Sequence, residues 1–191
     1  LANAMTFLFH ELVNDPELLA RVRADVDAAC EANDGRVPPP EQMRSIPALF
    51  GLCQETLRRY PIAFASMRHA AKDFDYEGYH VNAGQQIIFF TSSSHFDSQF
   101  FRDPYKFDID RFLEPRMEQR ARYAFSPYGR GPHICLGAAM AESIFLSTVA
   151  CLLRDYDFSA AIPGKRYKTI YEPGPSISDK FSMQISKRAF S

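Results

Sequence analysis

An excess of charge of either sign is missing from this sequence: 22 Lys and Arg stand against 23 Asp and Glu, for a net charge of −1. That balance gives no basic surface to expect under a nucleic acid, so no nucleic-acid partner is expected. Cysteine is scarce as well. Cys30, Cys53, Cys135 and Cys151 lie far apart with no C-x-x-C pair; this speaks against a disulfide framework or zinc cluster and suits a reducing compartment. No apolar run approaches the ~20 residues of a membrane span, and no secretory leader opens the chain. Repeats and low-complexity stretches are also absent.

Two further absences lie at the start. Position 1 is Leu, not Met, and no capping residue precedes the first apolar residues. Leu1, Met5, Leu8 and Leu12, with Phe9, nevertheless fall at helical spacing. The expectation is a chain that begins inside a helix, as a fragment.

What is present is a hydrophobic fraction of 46% with 17 Phe in 191 residues, ample for one core. Residues 1–191 are therefore read as a single, partial domain. The first helix is expected to run to about Val13. Asp15 caps a second, with Pro16 in its first turn, and this one stops at the loop "NDGRVPPP". Ser45 is expected to cap a third helix that Pro61 closes. "FASMRHAAKDFDYEGYHVNAGQQIIFF" reads as a small meandering sheet broken at Glu77-Gly78 and Asn82-Ala83-Gly84. An aromatic, aperiodic loop follows, then a long helix "GAAMAESIFLSTVACLLRDYDF", then the loop "YEPGPS" and a last strand "FSMQISKR". The expected class is mainly α with a small β-sheet (α+β).

The chemistry gathers at "YGRGPHICLGAAMAE", residues 128–142. Cys135 lies just ahead of a helix, where unpaired N–H groups favour an anion. Gly129, Gly131 and Gly137 permit close backbone approach, and Pro132 stiffens the loop. A thiolate held this way suits a metal ligand or a nucleophile. Other readings compete. A lone Cys is most often a small buried hydrophobe, and His133, two residues away, is too local to serve as a nucleophile's base. Zinc lacks its other ligands, and spacing alone leaves the choice open.

The same residues resemble the haem-binding loop of the cytochrome P-450 family, the haem-thiolate monooxygenases. The family's pattern of aromatic, x, x, Gly, x, Arg or His, x, Cys, x, Gly is met by Tyr128, Gly131, His133, Cys135 and Gly137. The resemblance implies the C-terminal, haem-proximal part of that fold, with Cys135 as the iron ligand of haem b. Tyr128 stands where Phe is usual, and His133 where Arg is commoner, as a weaker and pH-dependent partner for a haem propionate.

Other segments extend the resemblance. Glu55 and Arg58 in "QETLRRYP" match the family's E-x-x-R, and "DIDRF" matches its Arg-Phe signature. Arg111 is then implied to join Glu55 and Arg58 in a buried, structural ion network. Arg68 is implied to pair with a propionate. Ala63, Phe64 and Ala65 correspond to pocket-lining positions, and Ser176-Ile177 would approach the same pocket. Glu142 is read as a helix-surface charge. Arg120, Arg122 and Arg130 lie near the cysteine loop, either for solubility or as a basic patch for an acidic electron-transfer partner.

The resemblance covers nearly the whole chain yet a little under half of a complete member, so the proton-delivering acid–alcohol pair is expected upstream of Leu1. No catalytic residue beyond the iron ligand is expected here. The implied parent inserts one oxygen atom from O2 into an apolar organic substrate. Its electrons come from a ferredoxin, flavodoxin or reductase. A cytoplasmic, bacterial-type soluble enzyme is expected, with an upstream membrane anchor left open. The rivals are a truncated remnant that neither holds haem stably nor turns over, and a haem-thiolate enzyme of altered chemistry, such as peroxide-driven oxygenation.

Overall fold

Helix α1 (Ala2–Asn14) turns through Asp15 directly into α2 (Pro16–Glu31). The Asp15 side chain accepts the Leu18 N–H at 3.0 Å, and Pro16 in the first turn has no N–H to leave unpaired. A 3₁₀ turn over Pro40–Ser45 leads into α3 (Pro47–Arg59). Ser45 does not cap that helix, because its hydroxyl donates back to the Gln42 carbonyl at 2.6 Å. The cap comes from another element: Asp25 of α2 accepts the Ala48 N–H at 2.8 Å. A cap supplied across a helix pair leaves no local sequence signal. This computed structural model describes residues 1–171 and 174–189, so Glu172 and Pro173 of the expected "YEPGPS" loop lie outside the described residues.

Where one meandering sheet was expected, two separate ribbons form. Strand β1 (Ser66–His69) pairs antiparallel with β4 (Gln86–Phe89), and between them β2 (Phe74–Tyr76) forms a hairpin with β3 (Tyr79–Val81). The hairpin turns at Glu77 and Gly78, both at positive φ (48° and 82°), as a two-residue turn of this hand requires. Irregular chain with short 3₁₀ turns then runs to α4 (Ala138–Asp155). That helix ends earlier than its apolar pattern suggests. Tyr156–Ala160 leaves it as β5 and pairs with β8 (Met183–Lys187), while β6 (Thr169–Ile170) pairs with β7 (Ser176–Ile177). Among the described residues no helix is long and apolar enough to cross a membrane.

The four helices share one core. Leu8, Phe9 and Leu12 belong to α1, Val22 and Val26 to α2, Leu49 and Leu52 to α3, and Phe145, Val149 and Leu153 to α4; all are buried. Each side chain removed from water contributes about 1.5–3 kcal/mol before chain entropy is subtracted. A smaller aromatic cluster of Phe101, Phe112 and Ala124 backs the irregular chain. Gly51 sets how closely α3 approaches the 3₁₀ turn Ile109–Phe112. A Cβ there would lie 2.8 Å from the Ile109 carbonyl oxygen. The close approach brings the turn's Arg111 to the charged end of α3.

Candidate functional site

The last turn of α3 sets up the site's foundation. Glu55 and Arg58, three residues apart on one face, are both 0% exposed. The Arg58 guanidinium grips Glu55 with two hydrogen bonds, Nε to Oε2 at 2.7 Å and Nη2 to Oε1 at 2.8 Å. The Asp108 N–H donates to the same carboxylate at 2.9 Å. Arg111, also 0% exposed, brings its Nε to 3.5 Å from Glu55. Its hydrogen bonds go elsewhere, to the carbonyls of Arg102, Asp103 and Lys106 and to Glu118. Arg111 thus holds the irregular chain over 102–106 while adding charge against Glu55. Burial pushes the Glu55 carboxyl's pKa up, against the pull of both guanidiniums.

Arg58 also reaches outward, donating from Nη1 to the His95 carbonyl at 2.6 Å. His95 is fully buried. Its Nε2 accepts the Ser126 N–H at 3.0 Å, and its ring lies 5.1 Å from that of Phe125. Burial holds the imidazole down, at about 4; an interaction with the Arg58 backbone works against this, and the charges of Arg58 and Arg130 add to it. Sequence reasoning passed over His95, since a single histidine in an aperiodic aromatic stretch carries no signal.

Beyond Ser126 the chain enters the cysteine loop. Gly129 and Gly131 both take positive φ, 76° and 69°, conformations that side chains with a Cβ resist. The Cys135 N–H donates back to the Tyr128 carbonyl at 2.9 Å, and Ala138 opens α4 three residues later. Gly137 needs no special dihedral. A Cβ on it would sit 3.9 Å from the Cys135 Sγ, ordinary contact distance.

Cys135 is exposed and lines an open cavity of about 1460 Å³. Of the residues singled out in the sequence, Ala63, Ala65, Arg68, Tyr128 and His133 line it too. Leu57, Ala141 and Phe145 supply apolar wall. Among the described residues neither Arg68 nor His133 has an acidic partner, and Arg68 donates only to the adjacent Met67 carbonyl at 2.7 Å.

Other expected positions fall outside the cavity. Phe64 is not in the lining itself but stacks at 6.5 Å on Phe90, which is. Ser176 and Ile177 do not line it either: β7 packs on α1, where Asn3 donates to the Pro175 carbonyl at 3.0 Å, and Ile177 is buried there. Glu142 is not a surface charge. It is 8% exposed, accepts from Gln54 at 3.0 Å and is paired with Arg44. Burial, with the charge of Glu142 adding to it, pushes the Tyr128 hydroxyl up to about 12. Arg130 lines the cavity and lies over the Tyr123 ring, as Arg122 does, whereas Arg120 is paired with Glu114.

A second polar cluster lies on α1. Buried Glu11 accepts from the Tyr60 hydroxyl and from Arg166, the latter at 2.9 Å. Burial alone would raise its carboxyl, but hydrogen bonds from His10, Tyr60 and Arg166 bring it down to about 2.

Comparison with known proteins matches this architecture. The family model described as cytochrome P-450 matches residues 1–187. A sterol 14alpha-demethylase of Mycolicibacterium vanbaalenii is 34% identical over 83% of this chain and 35% of its own length. A cyclooctat-9-en-7-ol 5-monooxygenase of Streptomyces melanosporofaciens is 34% identical over 78% of this chain and 32% of its own. A pentalenene oxygenase of Streptomyces avermitilis is 30% identical over 90% and 38%. The chain thus spans about a third of the length of these curated relatives. In fold it resembles the crystal structure of a mutant cytochrome P-450DA haem domain, with a TM-score of 0.84 at 21% identity, over 98% of this chain and 41% of that one. A matched family model over nearly every residue, joined to this fold, makes the chain a member of the cytochrome P-450 family.

Proposed function

We propose that this chain forms the thiolate-ligand side of a haem monooxygenase, with Cys135 binding the iron. One observation carries the reading: the exposed sulfur of Cys135 lines an open cavity with apolar wall, and Arg68 and His133 line it too, neither with an acidic partner among the described residues. Haem b is a broad apolar ring with two carboxylates at one edge and a metal that takes soft sulfur ligands. The residues present fit that group. When bound, it supplies oxygenation: one atom of O2 enters an organic substrate and the other leaves as water, with two electrons and two protons taken up.

The chain's own residues bind and orient. Cys135 offers the sulfur, held through its N–H on the Tyr128 carbonyl. Arg68 and His133 bind the carboxylates, the guanidinium by paired donors and the imidazole only while it has a proton to donate. Tyr128 and Gly131 shape the loop beside the ring, and Gly137 lies next to the sulfur. Ala63 and Ala65 leave room for an apolar substrate. The relatives are named for a sterol, cyclooctat-9-en-7-ol and pentalenene, and an apolar organic substrate of that kind suits this cavity. Electrons come from a ferredoxin, flavodoxin or reductase, for which Arg122 and Arg130 offer positive charge near the loop.

A second reading concerns these residues by themselves. Leu136 of the cysteine loop and Met140 and Ile144 of α4 are exposed, as are Phe89 and Phe90. So much uncovered apolar surface favours an isolated chain that holds haem poorly and does not turn over. The deciding test is the reduced carbon-monoxide difference spectrum of the haem-loaded protein beside Cys135→Ser. A red-shifted Soret band present in the parent and lost in the variant is the expected result. A band that survives the substitution would remove Cys135 from the iron.

A further inference from the structure

We propose that His95 is the positioning residue of the cysteine loop, clamping it at Ser126 to the buried ion pair of α3. The proposal rests on the haem-thiolate reading of Cys135. Its geometry stands apart from that reading. The His95 carbonyl takes the Arg58 guanidinium at 2.6 Å, and its Nε2 takes the Ser126 N–H at 3.0 Å. A single fully buried residue therefore joins the Glu55–Arg58 pair to the start of the loop.

The connection continues to the sulfur in two steps. Ser126 accepts the Gly129 N–H at 3.2 Å through its own carbonyl, closing the turn that carries Tyr128. The Tyr128 carbonyl then accepts the Cys135 N–H at 2.9 Å. Where Ser126 sits decides where that turn sits, and the turn holds the backbone of Cys135. The Ser126 hydroxyl has a separate tether, to the Thr91 carbonyl at 2.9 Å. Loss of the His95 bond should therefore loosen the loop without unfolding it.

The ring itself is suited to this single task. With Nε2 accepting, its proton must sit on Nδ1, which is buried on the Arg58 backbone without a well-formed hydrogen bond. Its orientation is set by the Ser126 bond and by packing on Phe125. The charged groups facing it are Arg58 from α3 and Arg130 from the cysteine loop, both cations. A second proton on the ring would turn Nε2 into a donor facing the donor of Ser126. Since the folded-state value, about 4, lies below the usual 6.5, the neutral ring stabilises the clamp. That contribution is complete above 6.5 and is lost as pH falls towards 4.

The test uses the haem-loaded full-length protein in three forms: parent, His95→Phe, which keeps a ring without an acceptor, and His95→Gln, which keeps an acceptor that does not titrate. Reduced carbon-monoxide spectra from about pH 8 to about pH 4 report the fraction with thiolate bound. Hydrogen exchange of the Ser126 amide reports the clamp directly. At neutral pH His95→Phe should lose a large share of the red-shifted band and exchange Ser126 about tenfold faster, the loss of one hydrogen bond. His95→Gln should restore both at neutral pH and hold the band to lower pH than the parent. Equal spectra and equal Ser126 protection in all three forms would overturn the proposal. Should His95→Phe fail to fold, an acid midpoint shared by His95→Gln and the parent overturns it. A parent with no red-shifted band at all overturns the haem-thiolate reading and the loop's role with it. A His95-dependent Ser126 exchange would still establish the clamp in that case.

Discussion

Glu55, Arg58 and Arg111 are sealed from solvent: Arg58 is hydrogen-bonded to Glu55 and to a backbone carbonyl, Glu55 also accepts a backbone N–H, and Arg111 adds its charge beside Glu55 while donating to backbone carbonyls and to Glu118. Arg68 and His133, a short distance away on the cavity, have no acidic partner among the described residues. Both regions hold guanidiniums, Arg58 and Arg111 in one and Arg68 in the other, and the difference lies in what satisfies them. Charge taken out of water must be met from within the chain, or the fold is lost. Charge left at a cavity's edge tolerates waiting for a ligand, because water serves it meanwhile. Satisfied charge holds shape here, and unsatisfied charge is available for binding.

Substitution on the sealed side should produce the largest loss of stability. Arg58→Ala leaves the Glu55 carboxylate buried without its bidentate partner, and should cost about 3–5 kcal/mol in denaturant unfolding. Sign and cause can be separated by pH. An unpaired Glu55 takes up a proton as pH falls, so the deficit should shrink in acid; a deficit independent of pH would mean that lost packing, not lost charge, is responsible.

A smaller effect sharpens the same side. Gly51→Ala places a Cβ against the Ile109 carbonyl oxygen, where 2.8 Å leaves no room. The turn carrying Arg111 must move, at about 1–3 kcal/mol. Unchanged stability would show that the approach of α3 to this turn is not what seats Arg111.

The cavity side should respond in the opposite manner. Arg68→Leu should leave the stability of the haem-free protein within about 0.5 kcal/mol, since no buried partner is stranded. Haem binding should weaken about tenfold or more, the loss of a charge-assisted hydrogen bond. If the substitution destabilises the haem-free fold and leaves haem retention alone, Arg68 belongs with the sealed group and the contrast between the regions fails.

Local chemistry explains which features could be read ahead of the structure. Asp15 with Pro16 announces a helix start because cap and helix are neighbours in sequence. Glu77-Gly78 announces a turn because the turn is only two residues long. The Asp25 cap of α3 could not be read, as donor and acceptor are 23 residues apart. Glu142 is a different case: it shares its helix face with Phe145, Leu146 and Val149, all buried, and a charge is tolerated there only because Gln54 and Arg44 arrive from other elements. The end of α4 is not legible either, because Tyr156–Ala160 continues an apolar pattern and becomes a strand only by pairing with β8.

By itself the sequence determined the order of helices, the cysteine loop with its positive-φ glycines, and the residue types that mark the family. All of these depend on interactions within a few residues, where covalent connection sets the geometry. The tertiary structure alone decided which charges are sealed and which are open, that His95 meets Ser126 across 31 residues of chain, and that Ser176 and Ile177 pack on α1 instead of lining the cavity. Burial and partnership between distant segments are properties of the packed chain. The same Arg or Glu is a solvated ornament or a structural necessity according to what the fold brings against it.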